Sequence, residues 1–294
     1  MSVFPPPPIR CGPTTLEFGR RTLIMGVINM APDSFAGDGL AGDADAAAAL
    51  GRAFREQGAD LFDIGGRSTR PGAPPVSVEE ERRLAIPAIR RLAPLGLPVS
   101  IDTCSATVAE AALDAGAVMV NDITALRGDP AMGPLLARAG IPVVLMDRDE
   151  RAGVADVIAE TITFLRGRII AATAMGIDEQ KIFVDPGYGF GLTLAQNMEI
   201  LRRLRELTVL GRPLLIATSR KGSIGKVLNL PVHERLEGTA ATVTVSIMNG
   251  ADVVRVHDVR AMARVARMTD AIVRGVPPAV RGPERARRSG GTEP

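Results

Sequence analysis

Ile182-Phe183-Val184-Asp185-Pro186-Gly187-Tyr188-Gly189-Phe190-Gly191 is the stretch on which the reading of this chain turns. Its first three residues are apolar without alternation, the pattern of a parallel strand buried on both faces. The strand stops on a carboxylate, Asp185, and Pro186 then breaks the ladder because it has no N–H to donate. Gly187, Gly189 and Gly191 allow a sharp turn and a close approach of a ligand to the backbone. A charge at the end of a buried strand is costly unless it meets a partner. A bound ligand would be such a partner.

The same sentence of chemistry recurs along the chain: apolar strand, polar residue at its C-terminal end, loop, amphipathic helix. Strands are expected near 22–29, 60–65, 98–103, 118–123, 143–147, 182–185, 214–219 and 252–257. Helices are expected near 43–58, after Ser77, and near 106–115, 130–139, 155–175, 195–208, 237–248 and 260–272, several of them stopped by glycine. Ser77-Val78-Glu79-Glu80 has the spacing of a capping box. Eight alternating units predict an α/β fold, a single-domain (β/α)8 TIM barrel over 20–275. An open doubly wound sheet is the competing architecture. It binds at one switch point, whereas here ligand-type residues follow nearly every strand, as a ring of loops around one mouth requires. Residues 1–19 read as an irregular Pro-rich leader with a short hairpin near 15–19, and 276–294 as a disordered Pro, Gly and Arg tail.

Composition narrows the function classes. Apolar residues make up 46% of the 294, with one Tyr and no Trp, so the core is aliphatic. The net charge is only +2, and much of the basic surplus sits in the tail, so no nucleic-acid partner is expected. Two cysteines and two histidines make no zinc site. No apolar run reaches the length of a membrane span, and residues 1–9 lack the pattern of a signal peptide. A cytoplasmic enzyme with small-molecule substrates is the expectation.

The polar residues at the strand ends are Asn29, Thr69, Arg70, Asp102, Asn121, Asp185, Lys221, Arg255 and His257. On a barrel all of them face one pocket. Asp102, Asn121 and Asp185 suit a flat heterocycle bearing several N–H donors. Arg70, Lys221, Arg255 and His257 suit phosphate or pyrophosphate. Asn29 offers an uncharged oxygen, which fits Mg2+ that keeps most of its waters and sits against substrate phosphates. Arg220 reads as a solvated residue, and Asp122 fits a loop carboxylate as well as a ligand contact.

At this point the chain resembles the dihydropteroate synthase family. The resemblance lies in Ile24-Met25-Gly26-Val27-Ile28-Asn29 with Pro32-Asp33-Ser34-Phe35, Asp63-Ile64-Gly65-Gly66 with Ser68-Thr69-Arg70-Pro71-Gly72, Ile101-Asp102-Thr103, Asn121-Asp122-Ile123, Asp185-Pro186-Gly187 with Gly189-Phe190-Gly191, Thr218-Ser219-Arg220-Lys221, and Arg255-Val256-His257-Asp258-Val259. It spans roughly 20–275, in order. It implies a TIM barrel, commonly a homodimer, that condenses 6-hydroxymethyl-7,8-dihydropterin diphosphate with p-aminobenzoate to give 7,8-dihydropteroate and pyrophosphate. Carried over by position, Asp102, Asn121, Asp185 and Lys221 would hold the pterin, with Ile123 and Met146 against its ring. Asn29, Arg70, Arg255 and His257 would hold the diphosphate and Mg2+. Thr69, Pro71, Phe190 and the backbone near Gly222 would shape the p-aminobenzoate pocket, with Gly189 in the same substrate-binding loop. Asp102, Lys221, Arg255 and His257 form the expected catalytic set. Two other functions share the fold: a pterin-dependent methyltransferase barrel, which has no use for the diphosphate set, and a weak or inactive pterin-binding paralogue. The second is motivated by Arg67, Asp147, Leu192 and Gly222, which stand where the family usually has other residues.

Overall fold

Residues two apart on a strand point to the same side, and in this chain both sides of every parallel strand but β5 begin apolar. The computed structural model describes residues 5–32, 39–67, 75–151 and 153–276. An antiparallel hairpin comes first, β1 (Ile9–Cys11) with β2 (Thr14–Leu16). The parallel strands are β3 (Leu23–Asn29), β4 (Leu61–Gly65), β5 (Val99–Asp102), β6 (Met119–Asp122), β7 (Val143–Met146), β8 (Ile182–Asp185), β9 (Leu215–Ile216) and β10 (Val253–Val256). They pair in the order β8-β7-β6-β5-β4-β3-β10-β9, all parallel. A parallel bridge between Val184 and Leu214 joins the two outer strands, and the Val184 N–H donates to Pro213 O at 3.0 Å. The sheet is thus a barrel, and the open-sheet alternative is set aside.

Helices lie outside: α1 (Ala44–Gln57), α2 (Val78–Leu92), α3 (Ala106–Asp114), α4 (Met132–Ala139), α5 (Val157–Ala174), α6 (Leu194–Arg203), α7 (Gly222–Leu228), α8 (Leu236–Met248) and α9 (Val259–Val273). Their ends carry the expected chemistry. Asp43 accepts from the N–H groups of Asp45 and Ala46 at the start of α1, and Gly58 closes it at φ 101°. Ser77 Oγ accepts from Glu80 N at 3.2 Å at the start of α2. No described helix is long and apolar enough to cross a membrane.

The outward residues of the strands, such as Ile64, Ile101, Val120, Leu145, Val184 and Val254, join the helices in one large core. The inward residues form a second core with the hairpin. Ile9, Cys11, Leu16 and Phe18 pack on Leu23, Met25, Leu61, Met119, Val144, Phe183, Leu215 and Val253, and the Phe18 and Phe183 rings meet edge to face at 5.8 Å. This core closes the end of the barrel where the strands begin.

Two expectations are corrected. The hairpin lies at Ile9–Leu16, ahead of 15–19, because its apolar residues are what fill the barrel floor. The strand expected at 214–219 pairs only over Leu214–Ile216, and its regular ladder is Leu215–Ile216. Beyond it the chain leaves the ladder, Arg220 takes φ 57°, and Lys221 caps the short helix α7, which the sequence reading had not anticipated.

Candidate active site

Four strands share one pattern at their inward positions. The first inward residue belongs to the apolar floor, and the residue two further on is polar. Met119 leads to Asn121, Phe183 to Asp185, Leu61 to Asp63, and Val253 to Arg255 and then His257. On β5 the same step goes from Ser100 to Asp102. The polar layer therefore sits directly above the floor, at the C-terminal mouth.

Within that layer the contacts are specific. Arg255 Nε donates to Asp63 Oδ2 at 2.6 Å, and Arg255 Nη2 to Asp102 Oδ2 at 3.1 Å. Asn121 Nδ2 also donates to Asp63 Oδ2, at 3.1 Å. Asp185 Oδ1 accepts the Gly187 N–H at 2.7 Å. Lys221 Nζ lies 4.0 Å from the centroid of the Phe190 ring, a cation–π distance. His257 meets Ser219 twice: its backbone N–H donates to Ser219 Oγ at 3.2 Å, and Nδ1 lies 2.9 Å from the same oxygen. Ile123 and Met146 are buried at the ends of their strands, and Asn29 ends β3 beside Gly65. Thr69, Arg70 and Pro71 lie outside the described residues.

The electrostatics of the layer are those of charges removed from water. Burial pushes Asp102 up to about 7, against the pull of Arg255 and with the help of Asp63. Burial likewise lifts Asp185 to about 6, opposed by the Gly187 N–H and by Lys221. Burial lowers Lys221 to about 8, with Arg255 adding to the effect and Asp185 opposing it. For Arg255 burial works against the charge, but Asp63 and Asp102 outweigh it and the guanidinium is held charged. Arg255 and Asp185 act on each other's ionisation, so they share one site. A titrating set of this kind in a concave mouth is what ligand binding and catalysis use.

The loops around the mouth are braced. Asp122 accepts from the N–H groups of Thr124 and Leu126 at 2.8 and 2.9 Å, so it is a loop carboxylate. Arg220 is not a solvated residue: its guanidinium makes two hydrogen bonds to Asp258, at 2.9 and 2.6 Å. Asp147 pairs with Arg151 at 2.9 Å and holds its own loop. Gly187 sits at φ 71° with the Asp147 carbonyl where a Cβ would stand, so only glycine fits there. Tyr188 is buried, and its hydroxyl meets Ser223 Oγ at 2.6 Å. Asn197 Oδ1 accepts the Gly189 N–H at 2.6 Å. The loop after β8 is therefore fixed to α6 and α7. Arg67 lies against Cys104 Sγ at 2.7 Å and 4.0 Å from the buried Glu81, beside Asp102.

Reading the strand ends alone missed Asp63. It stands mid-strand in Leu61-Phe62-Asp63-Ile64-Gly65, fully buried. The signal was a carboxylate inside an otherwise apolar strand, which demands a cationic or donor partner. Ser219 and His257 belong to the two parts of the expected diphosphate set, Ser219-Arg220-Lys221 and Arg255–His257, and their contact joins those parts.

Comparison with known proteins points the same way. A family model described as pterin binding enzyme matches residues 25–257. The dihydropteroate synthase of Bacillus subtilis is 42% identical over 266 residues, covering 90% of this chain and 93% of that protein. The solved structure of Xanthomonas albilineans dihydropteroate synthase with 4-aminobenzoic acid has a TM-score of 0.84 at 40% identity, covering 92% of this chain and 100% of that one. The same enzyme in complex with 7,8-dihydropteroate has a TM-score of 0.82 at 38% identity, with the same coverage. By sequence and by fold, this chain belongs to the dihydropteroate synthase family of pterin-binding enzymes.

Proposed function

We propose that the protein is a dihydropteroate synthase, joining 6-hydroxymethyl-7,8-dihydropterin diphosphate to p-aminobenzoate with loss of pyrophosphate. One observation carries this reading: a buried acceptor group, Asp102, Asn121 and Asp185, faces the same mouth as Lys221 and Arg255. In this reading the acceptors take the N–H donors of the pterin ring, Ile123 and Met146 pack on its face, and Lys221 adds a donor at its edge. Phe190, with Gly189, lines the arylamine side; Thr69 and Pro71, outside the described residues, are assigned to that ligand by the family resemblance alone.

The chemistry asks for field rather than for a nucleophile. As the C–O bond to pyrophosphate breaks, positive charge grows on the pterin methylene. The carboxylates of Asp102 and Asp185 favour that charge. Arg255, His257 and Arg70 favour the charge that departs with pyrophosphate. The attacking aniline is neutral near pH 7, so no strong base is needed to activate it.

Magnesium belongs to the same proposal. Among the described residues no group of three or more His, Cys, Asp and Glu is placed to cage a metal. The neutral oxygen of Asn29, at the end of β3, fits Mg2+ that arrives on the diphosphate and keeps most of its waters. When bound, the ion would neutralise charge on the leaving pyrophosphate.

A homodimer and a cytoplasmic location complete the proposal. The apolar residues Val245 and Met248 of α8 and Met268 and Ile272 of α9 are exposed on neighbouring helices, a face suited to a second copy. Sedimentation at micromolar concentration should give twice the chain mass, and a monomer would end that part of the reading. The activity is tested by mixing the protein with the pterin diphosphate, Mg2+ and p-aminobenzoate and following pyrophosphate. Release only when the arylamine is present is expected. Binding of the pterin without release would instead assign a non-catalytic pterin-binding barrel.

A further inference from the structure

Asp63 is the most buried charge in the mouth, and nothing in the proposed chemistry uses it. Its side chain has no exposure, and one oxygen, Oδ2, accepts from two donors on two different strands: Arg255 Nε of β10 at 2.6 Å and Asn121 Nδ2 of β6 at 3.1 Å. The other oxygen, Oδ1, is buried with no partner among the described residues. A carboxylate held this way is a poor stabilising device, since half of its hydrogen-bonding capacity goes unused in a dry site. Its value lies in what it does to its two donors.

The register shows how. Asp63 pairs with Ser100 and Ser100 with Met119, so in ladder register Asp63 stands one inward step before Asn121; Arg255 pairs with Met25 and Met25 with Leu61, so Arg255 stands one inward step before Asp63. The carboxylate thus lies between its two donors in register, and Gly65, the next inward position on β4, has no side chain to stand over it. An amide oxygen and nitrogen are told apart by their partners. Because the nitrogen of Asn121 is committed to Asp63, its oxygen is the atom of that amide left to meet a ligand.

We infer that Asp63 is a positioning residue that selects for donor-bearing rings, holding Asn121 oxygen-outward and Arg255 in a fixed plane before the ligand arrives. This rests on the pterin reading of the site and adds to it the origin of its polarity. A ring edge carrying N–H groups meets three acceptors. An analogue presenting a lone pair at the Asn121 position meets an oxygen that cannot turn over.

The test measures binding of the pterin diphosphate with Mg2+ and without p-aminobenzoate, by calorimetry at pH 8. Asp63→Asn keeps one oxygen for both donors, so its Kd should stay within about tenfold of the unaltered protein. Asp63→Leu keeps the size and removes the acceptor, so its Kd should rise about 100-fold. KM for p-aminobenzoate should move by less than about threefold in both, because that ligand is read elsewhere in the mouth. An Asp63→Leu protein that binds within about threefold of the unaltered one would overturn the inference. So would Asp63→Asn binding as weakly as Asp63→Leu, which would make bare charge the operative property. Should Asp63→Leu fail to fold, the side-chain amide resonances of Asn121 in the unaltered, 15N-labelled protein decide the matter. Slow exchange of these hydrogens with solvent in the absence of ligand is expected. Exchange as fast as that of an exposed asparagine amide would refute it. If the unaltered protein does not bind the probe at all, the pterin reading itself has failed, and the inference falls with it.

Discussion

The two ends of the barrel interior are built from the same strands, on the same inward face, and differ by two residues. At the floor Phe183, Met119, Leu61 and Val253 meet the hairpin in an apolar plug. One step up the same strands, Asp185, Asn121, Asp63 and Arg255 form a polar layer. The floor has unlike neighbours in sequence and uniform chemistry. The mouth has charges that are only partly satisfied by one another, as the bare oxygens of Asp63 and Asp102 record. Stability is concentrated in the first region and unspent interaction in the second, the division a stable barrel carrying a reactive mouth requires.

The comparison is broken most directly at the floor. Phe183→Ala removes a fully buried ring that packs on Phe18, and should cost about 3–5 kcal/mol of unfolding free energy, read by denaturant titration. Affinity for the pterin diphosphate in the folded fraction should be unchanged; a parallel loss of affinity would show that the two regions are not separable. Next comes Arg255→Ala, which removes the cation between Asp63 and Asp102. The rate of pyrophosphate release should fall by roughly 10²–10³, by analogy with the loss of one transition-state donor. A rate near that of the unaltered protein would strip Arg255 of its role.

A pH profile of ligand affinity sharpens the contrast, because the groups of the mouth titrate in the neutral range. Asp102 at about 7 and Asp185 at about 6 must be ionised to accept from a ring, so affinity should fall as pH drops through that window. Lys221, at about 8, loses its charge above that pH, so the profile should be a bell, its limbs belonging to the coupled set rather than to single residues. Stability runs the other way on the acid side. The folded carboxylates of Asp102 and Asp185 hold protons more tightly than unfolded ones. Their contribution is therefore least unfavourable below the ordinary carboxylate range, near about 4, and stability declines as pH rises through about 6 and 7. A flat affinity between pH 5 and 9 would contradict the assignment of these groups. The smallest effect is expected at the brace of the mouth: Tyr188→Phe leaves Ser223 without its buried partner and should cost about 1 kcal/mol, measured by thermal unfolding.

Much of this was legible in the sequence, for physical reasons that also explain the gaps. Strand ends announce themselves because a polar residue closes an apolar run, and Asp102, Asn121 and Asp185 do so. Asp63 does not close its run, and recognising it needs the inward–outward alternation of the finished barrel. Arg220 looked solvated because its partner, Asp258, is 38 residues away on the next strand's exit. The helix α7 was hidden by its length and its two glycines, Gly222 and Gly225, which argue against a helix on propensity alone. The hairpin was placed late because the leader's prolines suggested extended chain up to the barrel, whereas the apolar Ile9, Cys11 and Leu16 had a floor to fill.

The hairpin's seat has a consequence for how the molecule is made. Its residues precede every barrel strand, yet the surface they rest on is not complete until Leu215 and Val253 have been synthesised and paired. Contacts spanning such a stretch of chain close late and slowly. During translation Ile9, Leu16 and Phe18 must therefore wait, greasy and unhoused, for more than two hundred residues to follow them. A part of the chain that emerges before the barrel strands comes to rest after them.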